Sequence, residues 1–277
     1  MYLGIDVGGT KTLVARLDEH GVIKQSERFP TPQKYSEFLD ALKETIDKLG
    51  EYDYRACGVG IPVSVYDRES AVAVSFGNLA WKRVHVAHDI ERIVHCPVAV
   101  ENDAKLAGLS EATLRPDVDK VLYVTISTGI GIGLVNDGQI DTAVGDGGGR
   151  TIMINYRGKF VPWESFASGK AIVERFGKRA ADITDEATWQ RIAHDLAMGF
   201  QHLIALTEPD LVVVGGSVGR YFERLKPHLR AELKAFETPL LKLPKLEEAK
   251  RPEEAVVYGC YDLVKGLYGR HRQHSVR

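Results

Sequence analysis

The chain is poor in cysteine and has no surplus of positive charge. Its three cysteines, Cys57, Cys96 and Cys260, lie far apart and show no CxxC or Cys/His ligand spacing. That excludes a disulfide framework and a thiolate zinc site, and fits small buried hydrophobes in a reducing compartment. Lys and Arg total 36 against 38 Asp and Glu, a net charge of -2, so the basic stripe of a general nucleic-acid binder is missing. No apolar run approaches the roughly 20 residues of a membrane span. The N-terminus enters a strand pattern at once, without the basic, apolar and cleavage regions of a secretory signal. These absences point to a cytoplasmic protein with neither nucleic-acid nor membrane partners. His85, His88 and His95 sit in or beside a candidate helix without a matching carboxylate or cysteine cluster, which argues against metal ligation. The basic tail from Gly269 to Arg277 reads as a frayed end.

What is present is glycine, in two turns about half a chain apart: Asp6-Val7-Gly8-Gly9-Thr10-Lys11-Thr12 and Ser127-Thr128-Gly129-Ile130-Gly131-Ile132-Gly133. Each lies between runs that read as strands. At 277 residues the chain is comfortable for two domains. Strands are expected at Tyr2 to Val7, Thr12 to Leu17 and Val22 to Phe29, a meander with short connections. A helix over Ser36 to Leu49 follows, with Ser36 as its N-cap. Further strands are expected over Ala56 to Ile61 and Pro97 to Val100, and helices near Ala87 to His95 and Ala104 to Thr113. Around Pro116 the pattern restarts, with strands at Val121 to Ile126 and Ile132 to Val135 and, after the turn Asn136-Asp137-Gly138, another short strand. Residues 139–165 read as irregular. Helices near 169–180 and 187–207, the strand Leu211 to Val214 and a last helix over Ala255 to Tyr268 complete the pattern. The expected division is 1–117 and 118–254, with residues 255–277 packing back on the first part. The fold class is duplicated α/β with an active site between lobes.

Gly8 and Gly9 allow close approach of backbone N–H groups to an anion and permit positive φ. Thr10 and Thr12 add hydroxyls and Lys11 a charge. Asp6 beside such amides calls for an intervening cation, hence Mg2+ held through water. The spacing fits neither a Walker A loop nor a Rossmann fingerprint, and a plain Gly-Gly hairpin with a solvated Asp and Lys is the alternative for this motif taken alone. The second turn could equally be a bulge or barrel corner. Gly215-Gly216-Ser217-Val218-Gly219 closes a buried strand and leaves room for a flat ligand, or is a simple strand-to-helix turn. Asn102 and Asp103, between strand and helix, suit either an N-cap or a general base for an incoming hydroxyl.

Asp6 to Thr12, Asn78-Leu79-Ala80-Trp81, Glu101-Asn102-Asp103-Ala104, Thr128 to Gly131 and Leu211 to Gly219, in this order, resemble the ROK family of sugar kinases. That family belongs to the actin/hexokinase/Hsp70 ATPase superfamily. The resemblance implies two RNase H-like lobes, ATP and Mg2+ in the cleft, and transfer of the γ-phosphoryl group to a sugar hydroxyl. It makes Asp103 the general base, and Asn102, Asp103, Asp146 and Glu164 the sugar contacts. Gly8, Gly9, Thr10, Lys11, Thr12, Thr128, Gly129, Gly131, Gly215 and Gly216 become the nucleotide contacts, with Asp6 on Mg2+. A homodimer or tetramer is implied as well.

The chain departs from that pattern in its acceptor half. Where relatives carry Gly-His before a cysteine-rich zinc segment, this chain has Gly148-Gly149, and no cysteine lies between Cys96 and Cys260. No zinc is expected. The usual Gly after the Pro of the sugar-side loop is replaced, since Val63 follows Pro62. Arg150 could supply the lost donors, which would favour an acceptor bearing a carboxylate or phosphate. The expected activity is ATP-dependent phosphorylation of a hexose or modified hexose, on the pattern of glucokinases, fructokinases or N-acetylhexosamine kinases. A non-catalytic sugar-responsive regulator, and an ATPase or polyphosphate-using kinase, are the alternatives.

Overall fold

A computed structural model describes residues 1–50, 52–251 and 253–269; most of the frayed tail expected from Gly269 onward lies outside these residues. The chain forms two compact units, one of Met1–Thr113 with Glu253–Arg277 and one of Leu114–Pro252. Among the described residues no helix is long and apolar enough to cross a membrane.

In the first unit β1 (Tyr2–Val7), β2 (Lys11–Leu17) and β3 (Ile23–Pro30) form an antiparallel meander. Helix α1 (Tyr35–Lys48) leads to β4 (Cys57–Ile61), which joins β1 in parallel. Next come β5 (Val63–Asp67), β6 (Val72–Phe76) and β7 (Lys82–Val84), a separate three-stranded antiparallel sheet with no counterpart in the sequence reading. Helix α2 (Val86–Val94) precedes β8 (Val98–Asn102), which adds to β4 in parallel, and α3 (Asp103–Thr113) starts directly after it. The sheet order is β3-β2-β1-β4-β8, the RNase H-like order.

The core of this unit follows from side-chain spacing. β4 reads Cys-Gly-Val-Gly-Ile and is buried throughout, because helices cover both faces of a parallel strand. The C-terminal helix packs so closely on β4 that a Cβ at Gly58 would stand 2.5 Å from the Cys260 carbonyl oxygen. On α2, Val86, Ile90 and Val94 recur every four residues and are buried together. Ser36 does not cap α1. The helix begins one residue earlier, with Lys34 in the cap position and no side-chain cap bond. Tyr35 anchors that start by stacking on Phe38 and meeting the Trp81 ring edge-on, so aromatic packing sets the boundary.

The second unit repeats the topology. β9 (Lys120–Ile126), β10 (Ile130–Asn136) and β11 (Gln139–Ile140) are antiparallel neighbours. Residues 139–165 are more regular than expected. β12 (Met153–Tyr156) and β13 (Lys159–Pro162) form a hairpin, turned by Arg157 and Gly158, both at positive φ, as a two-residue turn requires. Helices α4 (Glu164–Ala167), α5 (Gly169–Phe176) and α6 (Glu186–Thr207) precede β14 (Leu211–Gly215) and α7 (Gly216–Gly219). Then come α8 (Phe222–Lys234), β15 (Lys245–Glu248) and, back in the first unit, α9 (Ala255–Tyr268). The order β11-β10-β9-β14-β15 matches that of the first sheet position for position. α5 stops at Phe176, short of residue 180, because Gly177 takes the left-handed conformation that closes a helix. α8 and β15 had no sequence prediction.

Candidate active site

In the first unit, β1 carries Asp6 toward the turn before β2, and β8 delivers Asp103 to the first position of α3. The tight turn is closed by the Gly8 amide donating to the Lys11 carbonyl at 3.0 Å. Neither Gly8 nor Gly9 has a positive φ, against expectation. Glycine is required here by crowding instead: a Cβ at Gly8 would meet the Lys11 carbonyl oxygen at 2.8 Å, and one at Gly9 would meet the Asn78 Cβ at 2.8 Å. Thr10 and Lys11 are exposed, whereas Thr12 is fully buried with its hydroxyl 2.9 Å from that of Thr31.

The charge of Asp103 acts on Asp6. Burial, and then the neighbouring Asp103 charge, push the Asp6 carboxyl up to about 7, with Lys11 and Arg28 pulling the other way. Burial pushes Asp103 up to about 6, opposed by the Ala104 amide, which donates to Asp103 Oδ1 at 2.8 Å. The Asp103 backbone amide opposes the rise as well. Asn102 is a true cap: its Oδ1 accepts from the Ala104 and Lys105 amides at 3.0 and 3.2 Å, and its Nδ2 donates to the Val63 carbonyl. Glu101, buried beside it, accepts the Asn102 amide and is paired with Arg68 from the β5–β6 turn. Two buried carboxyls, one of them raised further by the charge of the other, fit a divalent cation near them, since its charge would offset theirs. Among the described residues no group of three or more His, Cys, Asp or Glu side chains is arranged to hold a metal.

In the second unit three glycine-bearing segments meet at Ser127. Its carbonyl accepts the Gly169 amide at 2.7 Å, its Oγ accepts the Ser217 amide at 3.0 Å, and its own amide donates to the Gly129 carbonyl at 2.8 Å. From sequence alone Ser127 reads only as a turn hydroxyl. Gly216 lies at φ +83, and a Cβ there would meet the Ile126 carbonyl oxygen at 2.5 Å; one at Gly215 would strike the Tyr123 hydroxyl at 2.3 Å. Thr128 is exposed and Gly131 half-buried.

Glu164 reaches across to the same turn. Its Oε2 accepts the Ile130 amide at 2.8 Å, and its Oε1 accepts Arg150 Nε at 2.8 Å. Trp163 fixes this arrangement: it is fully buried, its Nε1 donates to the Asp195 carbonyl, and its ring fills the space over Gly199. The loop with Gly148 and Gly149 packs on the start of β10. A Cβ at Gly148 would be 2.3 Å from the Ile130 carbonyl oxygen, and one at Gly149 would be 2.9 Å from the Ile130 Cβ. A histidine at position 149 has no room unless the loop lifts away. Asp146 is half-buried in this loop.

The sequence profile of the ROK family matches residues 2–266. The chain belongs to the ROK family. It is 31% identical over 271 residues to the N-acetylmannosamine kinase of Escherichia coli, covering 86% of this chain and 91% of that one. It is 27% identical over 298 residues to the N-acetyl-D-glucosamine kinase of Vibrio parahaemolyticus, covering 94% and 98%. The fold resembles that of a ROK glucokinase from Streptomyces griseus solved with glucose and AMPPNP, with a TM-score of 0.79, 22% identity and coverage of 95% and 98%.

The ROK match spans every candidate site residue read from the sequence, from Asp6 to Gly216. The structure brings Asp6, the first glycine turn, Asn102 and Asp103 to the same edge of one sheet, at the C-terminal ends of β1 and β8, which flank β4. It brings the second glycine turn, the Gly215-Gly216 segment, Glu164 and Arg150 together in the other. Asn78, Arg68 and Ser127 went unrecognised as local structural partners, because their significance lies in contacts between segments far apart in sequence.

Proposed function

We propose that this protein transfers the γ-phosphoryl group of ATP to a hydroxyl of a hexose or N-acetylated hexose, with Asp103 as general base. The chain is a sugar kinase of the ROK family. The observation that carries the assignment of the base is the position of Asp103 at the β8–α3 junction, with its carboxyl raised to about 6. At neutral pH most of it is ionised, yet it is basic enough to accept the hydroxyl proton as the oxygen attacks phosphorus. The Ala104 amide fixes Oδ1. Asn102, rigidly held as the cap, has one amide N–H left to orient the acceptor. In this reading the turn at Gly8 and Gly9, with Thr10 and Lys11, and the segments around Thr128, Gly131 and Gly216 hold the nucleotide. Asp6 would hold Mg2+, which when bound neutralises phosphate charge.

In the second unit Glu164, Asp146 and Arg150 are the proposed acceptor contacts. Glu164 is aimed by the Ile130 amide, and Arg150 pairs with its other oxygen and adds donors of its own. A panel of neutral, N-acetylated and anionic hexoses with ATP and Mg2+, read as ADP release, tests the proposal. Turnover of at least one member, abolished in Asp103→Asn, is expected. Tight sugar binding without turnover of any member would overturn it in favour of a sugar sensor.

A further inference from the structure

A cavity of about 460 Å³ opens on the second unit, between the β12–β13 hairpin, α5, α6 and α8. It uses none of the residues assigned above. Arg157, Arg175 and Arg191 line it against two carboxylates, Asp195 and Glu232. Both acids are engaged. Asp195 is 3% exposed and lies 2.5 Å from Arg175 Nη1, and Glu232 lies 2.9 Å from His194 Nδ1. Among the described residues no carboxylate pairs with Arg157 or Arg191. Arg157 instead sits with its guanidinium carbon 5.2 Å from the centre of the Tyr156 ring.

We propose that this cavity binds a small organic phosphate monoester and that its occupancy is felt at Glu164. Two unpaired guanidinium groups beside a third suit a dianion with several acceptor oxygens, which planar forks grip in pairs. The volume lies within the range of small-molecule sites and leaves space beyond a bare phosphate. Tyr156 and Met198 supply an apolar wall for the remainder of the ligand. The product of the proposed transfer is itself such an ester, so the regulatory meaning of the site, though not its binding chemistry, rests on that reading.

The coupling has a physical route. Arg175 Nη1, which holds Asp195, also donates to the Phe166 carbonyl at 2.7 Å. Tyr156 stacks on Phe166 with ring centroids 4.0 Å apart and planes 10° apart. The Asp195 carbonyl accepts Trp163 Nε1 at 3.1 Å. Three contacts therefore tie the cavity wall to the segment Trp163–Phe166, which contains Glu164. An anion that recruits Arg175 draws a donor away from Phe166 and loosens α4. By linkage, an acceptor held by Glu164 and the ester at this cavity weaken each other's binding.

Calorimetry on the full chain without nucleotide tests the site, using a hexose 6-phosphate and inorganic phosphate as probes. The ester is expected to bind, and the double variant Arg157→Ala/Arg191→Ala to weaken it at least about tenfold, the scale of one lost charge-assisted contact. The control Lys242→Ala/Lys245→Ala, with the same loss of charge, should leave the affinity unchanged. No binding, undiminished binding in the arginine variant, or equal affinity for inorganic phosphate would overturn the assignment. Hydrogen exchange tests the coupling: the ester should speed exchange of the Ala167 and Ser168 amides, which close α4, and unchanged exchange would remove that part. Neither readout involves turnover, so they and the ADP-release panel succeed or fail separately.

Discussion

Glu164 occupies the space that a side chain at position 129 would need. A Cβ on Gly129 would stand 2.4 Å from Glu164 Oε2, the oxygen that accepts the Ile130 amide. Gly129 has no positive φ, so the demand for glycine comes from this neighbour and not from the backbone. One carboxylate thus links the second glycine turn to α4 and, through its other oxygen, to Arg150.

Gly129→Ala should therefore destabilise the protein by about 1–3 kcal/mol, the usual cost of forcing a methyl group into filled space. In a Glu164→Ala background the same substitution should cost less than about 0.5 kcal/mol, because its obstacle has gone. Thermal denaturation of the four proteins measures the cycle. Strictly additive losses would show that the crowding is not the cause.

The parts of this arrangement legible in sequence were local ones. Asp6 to Thr12 and Glu101 to Ala104 stood out because a strand ends in a short polar turn at each, and the same local pattern gave both meanders. The Gly129–Glu164 contact joins positions 35 residues apart and left no periodic trace. Gly8 and Gly9 were correctly placed in a turn, but the reason for them was misjudged, since the crowding at Gly9 comes from Asn78, in the loop after β6. Helix α8 was obscured by Pro227 within it and by its dense charge, although its buried Phe222, Leu225, Leu229 and Leu233 follow helical spacing. The β5–β7 sheet was missed because its strands are short and partly exposed, which weakens the alternation that marks a strand.

Asp103 must be deprotonated to accept a proton, and its carboxyl is raised to about 6. kcat should climb with pH through about 6 and level off above it. Asp103→Asn should lower kcat at least about a hundredfold, the scale of general-base catalysis, and abolish that rise while nucleotide affinity, followed by calorimetry, stays the same. A variant that keeps the wild-type profile would move the base elsewhere.

Asp6 makes the folded state sensitive to pH in the opposite sense from a salt-bridged acid. Its pKa rises from the ordinary 3.8 to about 7 on folding. Between those values the folded chain holds a proton that the unfolded chain releases, so stability is greatest at the acid end of the window and falls as pH climbs through it. Asp6→Asn removes that loss and should stabilise the protein by about 2–4 kcal/mol near pH 8, with the gain shrinking toward pH 4. Mg2+ should raise the Tm of the wild type at the alkaline end and leave the variant unmoved. Equal Tm shifts with Mg2+ in both proteins would place the cation away from Asp6.

Arg150 separates a specificity role from a surface ion pair. Its side chain is 40% exposed while that of Glu164 is 18% exposed, and an isolated pair of this kind is worth at most about 1 kcal/mol to folding. Arg150→Ala should thus leave Tm nearly unchanged. If the arginine also binds the acceptor, its loss should raise acceptor KM about tenfold, one charge-assisted contact, with nucleotide affinity unaltered. Arg150→Lys should recover only part of that, since an ammonium lacks the planar fork. Gly149→His, which introduces the histidine that the family resemblance led one to expect, should not rescue Arg150→Ala, because Ile130 already fills the space a side chain there requires. An acceptor KM untouched by Arg150→Ala would leave the arginine with the single task of steadying Glu164.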